Sequence, residues 1–255
     1  SIYLRVLQEM GQAYARASGA DARFIIYPNS IQGTEADTVR RMRVGQLDAS
    51  MLTVVGLSEI DRSVAALQYM PMMFRSWEEL DHVREKLRPA LEAKLAAKGF
   101  VVLIWGEGGW VQFFTKEDIA TPEQYRRARI FAWSGDIVQA SVMKSQGYHP
   151  VPIPLADILP ALETGMVDAV PVAPLWALVG QFDRIARHML RVNWVPIVGA
   201  TVMRRQTYEA MKPEARAALR AASDKATEAL RAHREAQDEG SIRAMQARGL
   251  QVREL

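Results

Sequence analysis

The 255-residue sequence predicts an α/β fold built as two lobes, and three observations predict it. Helical and strand-like patterns alternate along the chain, which calls for a parallel-rich sheet with helices on its faces. Several strand-like runs are short and continuously apolar, as in residues 100–105, the pattern of buried strands. An internal echo then divides the chain. Arg43-Val44-Gly45-Gln46-Leu47-Asp48-Ala49 resembles Glu163-Thr164-Gly165-Met166-Val167-Asp168-Ala169: a helix end, a glycine cap, an apolar residue, then Asp-Ala entering a strand.

The elements follow in order. Residues 4–17 read as a helix ended by Ser18-Gly19, and Phe24-Ile25-Ile26-Tyr27 as a short strand closed by Pro28-Asn29. Thr34 caps a helix running to Arg43, with Gly45 as its stop. Residues 47–55 read as a buried strand, 77–98 as a long amphipathic helix and 100–105 as a strand. A glycine-rich break at Gly106, Gly108 and Gly109 precedes a second strand over 111–115. Thr121-Pro122-Glu123 starts a short helix, with proline in its first turn. A strand over 129–133 leads into a helix begun by Ser134-Gly135-Asp136 and stopped by Gly147. A helix over 155–163 ends at Gly165, and 167–170 read as a strand. The last third reads as mostly helical, with a strong Ala/Arg/Glu pattern over 213–234.

Composition bounds the function. Hydrophobic residues make up 49% and charged residues 24%, ordinary for a globular chain with a real core. No apolar run approaches a membrane span. Ser1 opens directly on an amphipathic stretch, so a leader is expected to have been removed ahead of it, and an edge strand of the fold with it. The absence of cysteine excludes disulfides, thiolate chemistry and cysteine-type zinc sites. Net charge is +3 and spread, with Arg126, Arg127 and Arg129 as the densest group, read as a solvated turn. No basic stripe interleaved with aromatics points to nucleic acid.

Catalytic patterns are equally thin. His82, His149, His188 and His233 are scattered, and His149 reads as a surface loop residue. Gly106-Glu107-Gly108-Gly109 lacks the Gly-Lys-Ser/Thr ending of a phosphate loop and reads as a turn at a lobe crossing. Asp48 and Asp168 look like paired carboxylates, but each follows a glycine cap at a strand start, where Asp satisfies backbone donors. No serine sits in a Gly-x-Ser-x-Gly elbow. The expectation is a non-enzyme with no cofactor and no catalytic metal.

Several segments carry a resemblance to one family. Tyr27-Pro28-Asn29-Ser30-Ile31-Gln32-Gly33-Thr34-Glu35 is similar to a strand followed by a "G-x-L-G-x-E" loop. Gly45-Gln46-Leu47-Asp48 matches a "G-x-x-D" strand entry, and Met70-Pro71-Met72-Met73-Phe74 an "L-P-F-x-F" turn. Thr121-Pro122-Glu123-Gln124-Tyr125 matches "T-P-E-D-L", and Arg129-Ile130-Phe131 aligns with "K-I-R". Gly147 to Pro154 is similar to "G-A-N-P-V-P-M-P", and Ala161 to Asp168 to "A-L-Q-T-G-V-V-D". In this order and spacing the chain resembles the DctP-like solute receptors of tripartite ATP-independent periplasmic (TRAP) transporters.

The resemblance implies a periplasmic-binding-protein-like fold: two α/β lobes joined by crossing strands, a ligand cleft between them, a helical C-terminal region and hinge closure. Lobe I is expected to hold residues 1–110 with part of 195–255, and lobe II residues 111–194 with part of the C-terminal helices. Crossings are expected near 109–114 and 193–197. The implied location is periplasmic, with the signal peptide not in this chain. The implied partners are a small-molecule ligand and the integral membrane permease, with no nucleic acid.

The departures bear on the ligand. The family's carboxylate-gripping Arg of "K-I-R" falls on Phe131, and its "G-F-R" strand on Gly109-Trp110-Val111. The Asn of "D-G-x-E-N-P" falls near Val172, and the Glu and Tyr of "S-E-V-Y" become Asp157 and Leu159. Strand alternation puts Phe131 and Trp133 on one face. Trp77 reads as packing. Trp105, Trp110, Trp133 and Trp176, with Phe131, Val172, Met72 and Thr53, form the expected binding residues, an aromatic and aliphatic pocket for a largely apolar or weakly polar solute. The competing readings are an organic acid held by another cation such as Arg75 or by backbone donors at Ser134-Gly135, and an interaction module without transport.

Overall fold

A computed structural model describes residues 2–19, 24–27 and 33–255. In chain order the elements are α1 (Ile2–Ser18), α2 (Glu35–Arg43), β1 (Ala49–Thr53), α3 (Val54–Ser58), α4 (Trp77–Ala97), β2 (Phe100–Trp110), β3 (Gln112–Thr115), α5 (Pro122–Arg127), β4 (Arg129–Trp133) and α6 (Ile137–Ser145). Then come β5 (His149–Ile153), α7 (Ile158–Thr164), β6 (Ala169–Val172), α8 (Pro174–Val179), β7 (His188–Arg191), β8 (Pro196–Arg204), α9 (Arg205–Glu209), α10 (Pro213–Gln246) and β9 (Gln251–Glu254).

Helix starts obey local chemistry. Thr34 and Thr121 each form a capping box, with Asp37 and Gln124 as the reciprocal partners. Asp136 caps α6 by accepting from Gln139 N. Gly45, Gly147 and Gly165 take positive φ where helices stop.

Five sequence expectations are corrected. Residues 24–27 form no strand; Phe24 packs its ring against Gly11 of α1, while Ile25 and Tyr27 stay exposed. The Pro28–Gln32 part of that motif lies outside the described residues. The strand expected over 47–55 is β1 alone, because Thr53 caps α3 through Val55 N. The glycines at 106–109 do not break β2, which runs unbroken for 11 residues. The 147–154 motif holds a strand, β5, despite Pro150 and Pro152; β5 lies at the edge of its sheet, where a missing N–H costs no ladder bond. His149 is therefore an exposed strand residue rather than a loop residue. The last third also holds β7, β8 and β9 besides its helices.

The chain divides into two units. The first takes in Ser1–Gln68, Ser76–Glu107 and Val198–His233; the second takes in Tyr69–Arg75, Gly108–Ile197 and Arg234–Leu255. The first has a three-stranded sheet in the order β1-β8-β2, with β1 antiparallel to β8. Its core joins Val6 and Met10 of α1, Leu103 and Ile104 of β2, and Leu219, Ala226 and Leu230 of α10. The fully buried Arg84 of α4 is matched by Asp81 at 2.6 Å and by Glu107 of β2. A buried guanidinium without such partners would be severely costly.

The second unit has a six-stranded sheet in the order β5-β4-β6-β3-β7-β9. β4 is parallel to β5 and β6, and β7 to β9, while β3 is antiparallel to β6 and β7. The sheet is mixed rather than uniformly parallel. Alternation along β4 holds: Ile130 packs with Tyr125, Ala169 and Leu190, while Phe131 joins Phe114, Ile158, Leu162 and Val172. The buried amide of Gln112 donates to Asn193 Oδ1 at 2.8 Å and accepts from the N–H groups of Val192 and Asn193, fastening β3 to the segment after β7.

Asp238 of α10 is a buried carboxyl. It accepts from Trp110 N at 3.0 Å, and its other oxygen faces Gly109. Burial pushes its pKa up to about 7, with Glu239 adding to the shift and the Trp110 N–H and Arg191 opposing it. The unfolded value is about 3.9, so the folded chain holds an extra proton between roughly pH 4 and 7 and loses up to about 1.4 kcal/mol per pH unit as pH rises through that window. Asp238→Asn keeps an acceptor for Trp110 N without the titration. Its stability relative to wild type is expected to grow from pH 5 to 7 and level off above, measured by urea unfolding at each pH. A difference independent of pH would show that Asp238 is ionised throughout.

Candidate functional site

Ligands of α/β sheets gather outside the carboxyl ends of parallel strands. In the second unit that end is made by Trp133 of β4, its register partner Ile153 of β5, and Val172 of β6, opposite Gln112 of β3. Trp176 of α8 stands edge-on to Trp133, ring centroids 5.5 Å apart, a favourable aromatic geometry. Trp133, Ile153 and Trp176 are half-buried and pack on a closed core that includes Phe131, Val172 and Ala177. Beside it Val111, Ala173, Val195 and Ile197 form a second apolar cluster, again bordered by Trp176 and by Trp194.

The expected binding residues thus part into two sets. Phe131, Trp133, Val172 and Trp176 share one apolar cluster. Phe131 is only 4% exposed and forms its floor rather than its open surface. Trp110 is buried, its N–H on Asp238. Met72 lies in the same unit, 54% exposed, with its N–H on Trp194 O at 2.8 Å. Trp105 and Thr53 belong to the first unit and are internally engaged. Trp105 donates through Nε1 to Glu92 at 3.0 Å. Thr53 donates its N–H and hydroxyl to Glu35, which also takes Gly56 N at 2.7 Å. The corner between β1 and α3 is therefore filled by the chain's own carboxylate.

Polar groups at the strand ends are largely committed. Ser134 N donates to Ile153 O, and Asp136 N to Trp133 O. The Asp136 carboxylate accepts from Gln139 N at 2.9 Å and from Tyr69 Oη at 2.7 Å. The charge these bonds bring to this end is thus negative. Arg75, weighed as an anion holder, is an exposed residue of the same unit. Tyr69 and Asp136 were not among the expected site residues. The signal was a tyrosine ahead of Met70-Pro71-Met72-Met73, but nothing local in the sequence joins residue 69 to residue 136.

The other carboxylate candidates resolve into structural pairs. Asp168 accepts from Arg129 N, Nε and Nη2, at 3.2, 2.8 and 2.8 Å. Burial opposes its charge, but the Arg129 bonds outweigh that and hold its pKa below the ordinary carboxylate value. Arg129 stands at the start of β4, one strand length from Trp133. Asp48 accepts from Thr207 Oγ1 at 2.8 Å and pairs with Arg204 at 3.6 Å. Among the described residues no cluster of three or more His, Asp or Glu could hold a metal ion. No helix among them is long and apolar enough to cross a membrane.

The family described as DctP, bacterial extracellular solute-binding protein, family 7, matches residues 1–255. The 2,3-diketo-L-gulonate-binding periplasmic protein YiaO of Escherichia coli K12 is 24% identical over 201 residues, which cover 76% of this chain and 59% of that protein. The C4-dicarboxylate-binding periplasmic protein DctP of Rhodobacter capsulatus is 19% identical over 225 residues, covering 88% of this chain and 67% of that one. The chain thus spans about three fifths to two thirds of these relatives' lengths. A TRAP periplasmic solute-binding protein from Roseobacter denitrificans, solved with bound β-D-glucuronate, superimposes with a TM-score of 0.90 at 18% identity, covering all of this chain and 84% of that one. At that identity the likeness shows a shared α/β fold.

The floor position of Phe131 makes a stability prediction. Phe131→Arg would set a guanidinium among Phe114, Ile158 and Leu162, with an expected cost of several kcal/mol. Phe131→Leu should cost about 1 kcal/mol. Thermal unfolding of both variants checks this; wild-type stability in the Arg variant would mean the new side chain reaches solvent.

Proposed function

Because the chain belongs to the DctP family of bacterial extracellular solute-binding proteins, we propose that it is an extracytoplasmic receptor that captures a small organic solute and hands it to a TRAP-type membrane permease, without catalysing a reaction. The observation that carries the ligand reading is the Trp133–Trp176 pair at the strand ends, backed by Ile153 and Val172. A solute with a substantial apolar or aromatic face gains by burial there, at roughly 25 cal/mol per Å² of apolar surface. A carboxylate set against the same side chains would lose its hydration without a partner, and Asp136 would repel it.

A second reading has support of its own. YiaO and the Rhodobacter capsulatus DctP are named for binding 2,3-diketo-L-gulonate and C4-dicarboxylates, and the Roseobacter denitrificans receptor holds glucuronate. All three ligands are organic acids. An acid bound here would need a cation other than the residue at position 131, which is Phe. The relatives weigh toward the acid and the strand-end side chains toward the apolar body; a solute with both would reconcile them.

Mass spectrometry of small molecules released from the purified protein identifies the class directly. Calorimetry with phenylacetamide, phenylacetate, D-glucuronate and succinate then ranks body against charge. The aromatic pair is expected to be bound in preference to the two hydrophilic acids, and Trp133→Ala to weaken it about tenfold, or ~1.4 kcal/mol. Tight succinate or glucuronate binding that Trp133→Ala leaves unchanged would carry the organic-acid reading instead.

A further inference from the structure

Seven residues, Tyr69–Arg75, belong to the second unit although the chain on both sides of them belongs to the first. Two hydrogen bonds show where the segment lies. Tyr69 Oη donates to Asp136 Oδ2 at 2.7 Å, and Asp136 N is itself bonded to Trp133 O at the end of β4. Met72 N donates to Trp194 O at 2.8 Å, and Trp194 N is bonded to Val111 O at the start of β3. In the sheet order β5-β4-β6-β3, only β6 separates those two strands. Two strand spacings are about 9.6 Å, and three residues of chain reach about 10 Å. The segment is thus anchored on both sides of β6, whose last residue Val172 lies opposite Gln112.

Its side chains are unusual for a strap. Phe74 is buried, yet Met70, Met72 and Met73 are 39%, 54% and 53% exposed. Met72 also holds φ at +57°, a left-handed backbone that side-chain-bearing residues seldom adopt and that glycine or asparagine would take more readily. The bond to Trp194 O holds that conformation and so sets the direction in which the Met72 side chain leaves the backbone. Thioethers are flexible and polarizable and make favourable contacts with aromatic rings.

We infer that Tyr69–Met73 forms a wall of the solute site across the ends of β4, β6 and β3, with Met70 and Met72 contacting the apolar face of the ligand and Tyr69 positioning the wall through Asp136. The inference rests on the receptor reading above and adds the residues that shape its specificity. Asp136 acts through Tyr69 and the α6 cap; it does not touch the ligand.

Hydrogen peroxide tests it on the intact protein: each thioether takes one oxygen from peroxide, giving the sulfoxide and water, and peptide mass mapping reads each site. Oxidation is followed with and without saturating phenylacetamide, phenylacetate, D-glucuronate or succinate, using whichever binds by calorimetry. Bound compound should slow sulfoxide formation at Met70 and Met72 at least about fivefold, and leave exposed Met51 and Met166 unchanged. Tyr69→Phe should weaken the same compound about tenfold, with a melting temperature near wild type. A compound that binds calorimetrically while Met70 and Met72 oxidise at the unliganded rate overturns the wall and leaves the receptor reading standing. So does wild-type affinity in Tyr69→Phe. If none of the four compounds binds and no small molecule is released from the protein, the receptor reading fails and the wall with it.

Discussion

The close packing at Gly109 is the constraint on which the second unit's arrangement depends. β2 ends at Trp110 and β3 begins at Gln112, so the chain passes from one sheet to the other with only Val111 between. Just before that junction, inside β2, Gly109 holds φ of +103°, and a Cβ there would stand 2.6 Å from Asp238 Oδ1 and 3.0 Å from the Ala173 side chain. Neither neighbour can withdraw cheaply. Ala173 starts α8, which carries Trp176, and Asp238 holds Trp110 N, so both brace the site's own frame. Because no side chain intervenes, α10 comes close enough to β2 for the buried Asp238 carboxyl to take Trp110 N, with Ala173 packed beside Gly109. That closeness also explains why Asp238 holds its proton so far above the usual range.

Charge and apolar surface are then sorted to opposite ends of the same strands. At the start of β4, Arg129 and Asp168 satisfy each other, with Lys116 N bonded to Asp168 O. At the other end of β4 the side chains are Trp133 and its neighbours, and the nearby polar groups bond within the chain. The first unit makes a parallel choice at its β1–α3 corner. There Glu35 occupies the three donors that Thr53 and Gly56 would otherwise offer an anion. Both places are thus satisfied within the chain, one by the Glu35 carboxylate and the other by packed apolar side chains.

Local rules were legible wherever one residue type settles the backbone. The capping threonines at 34 and 121, the Asp136 cap and the glycines at 45, 147 and 165 all sit where the sequence predicts them. Alternation along residues 129–133 likewise separates Ile130 from Phe131 on the strength of the two-residue strand period alone. Misreadings arose where tertiary pairing overrode the local signal. His149 reads as a loop residue until β5 is seen to be an edge strand that tolerates Pro150 and Pro152. Gly106 and Gly108 look like a break until Leu230 and Ile197 are seen to close over them. Residues 24–27 look like a strand, yet Phe24 is taken up by α1.

By itself the sequence determined the α/β class, the main helix caps and glycine stops, the exclusion of cysteine chemistry and a family resemblance that the match over residues 1–255 bears out. Each of these depends on side chains and neighbours within a few residues, or on motif order along the chain. Only the tertiary structure decided that Phe131 is a floor, that Trp133 and Trp176 meet, that Asp238 reaches Trp110 across 128 positions, and that Tyr69 reaches Asp136 across 67. Those pairings are set by which strands lie side by side and where the chain turns. No spacing rule along the sequence encodes a contact whose partners are brought together solely by the packing of everything between them.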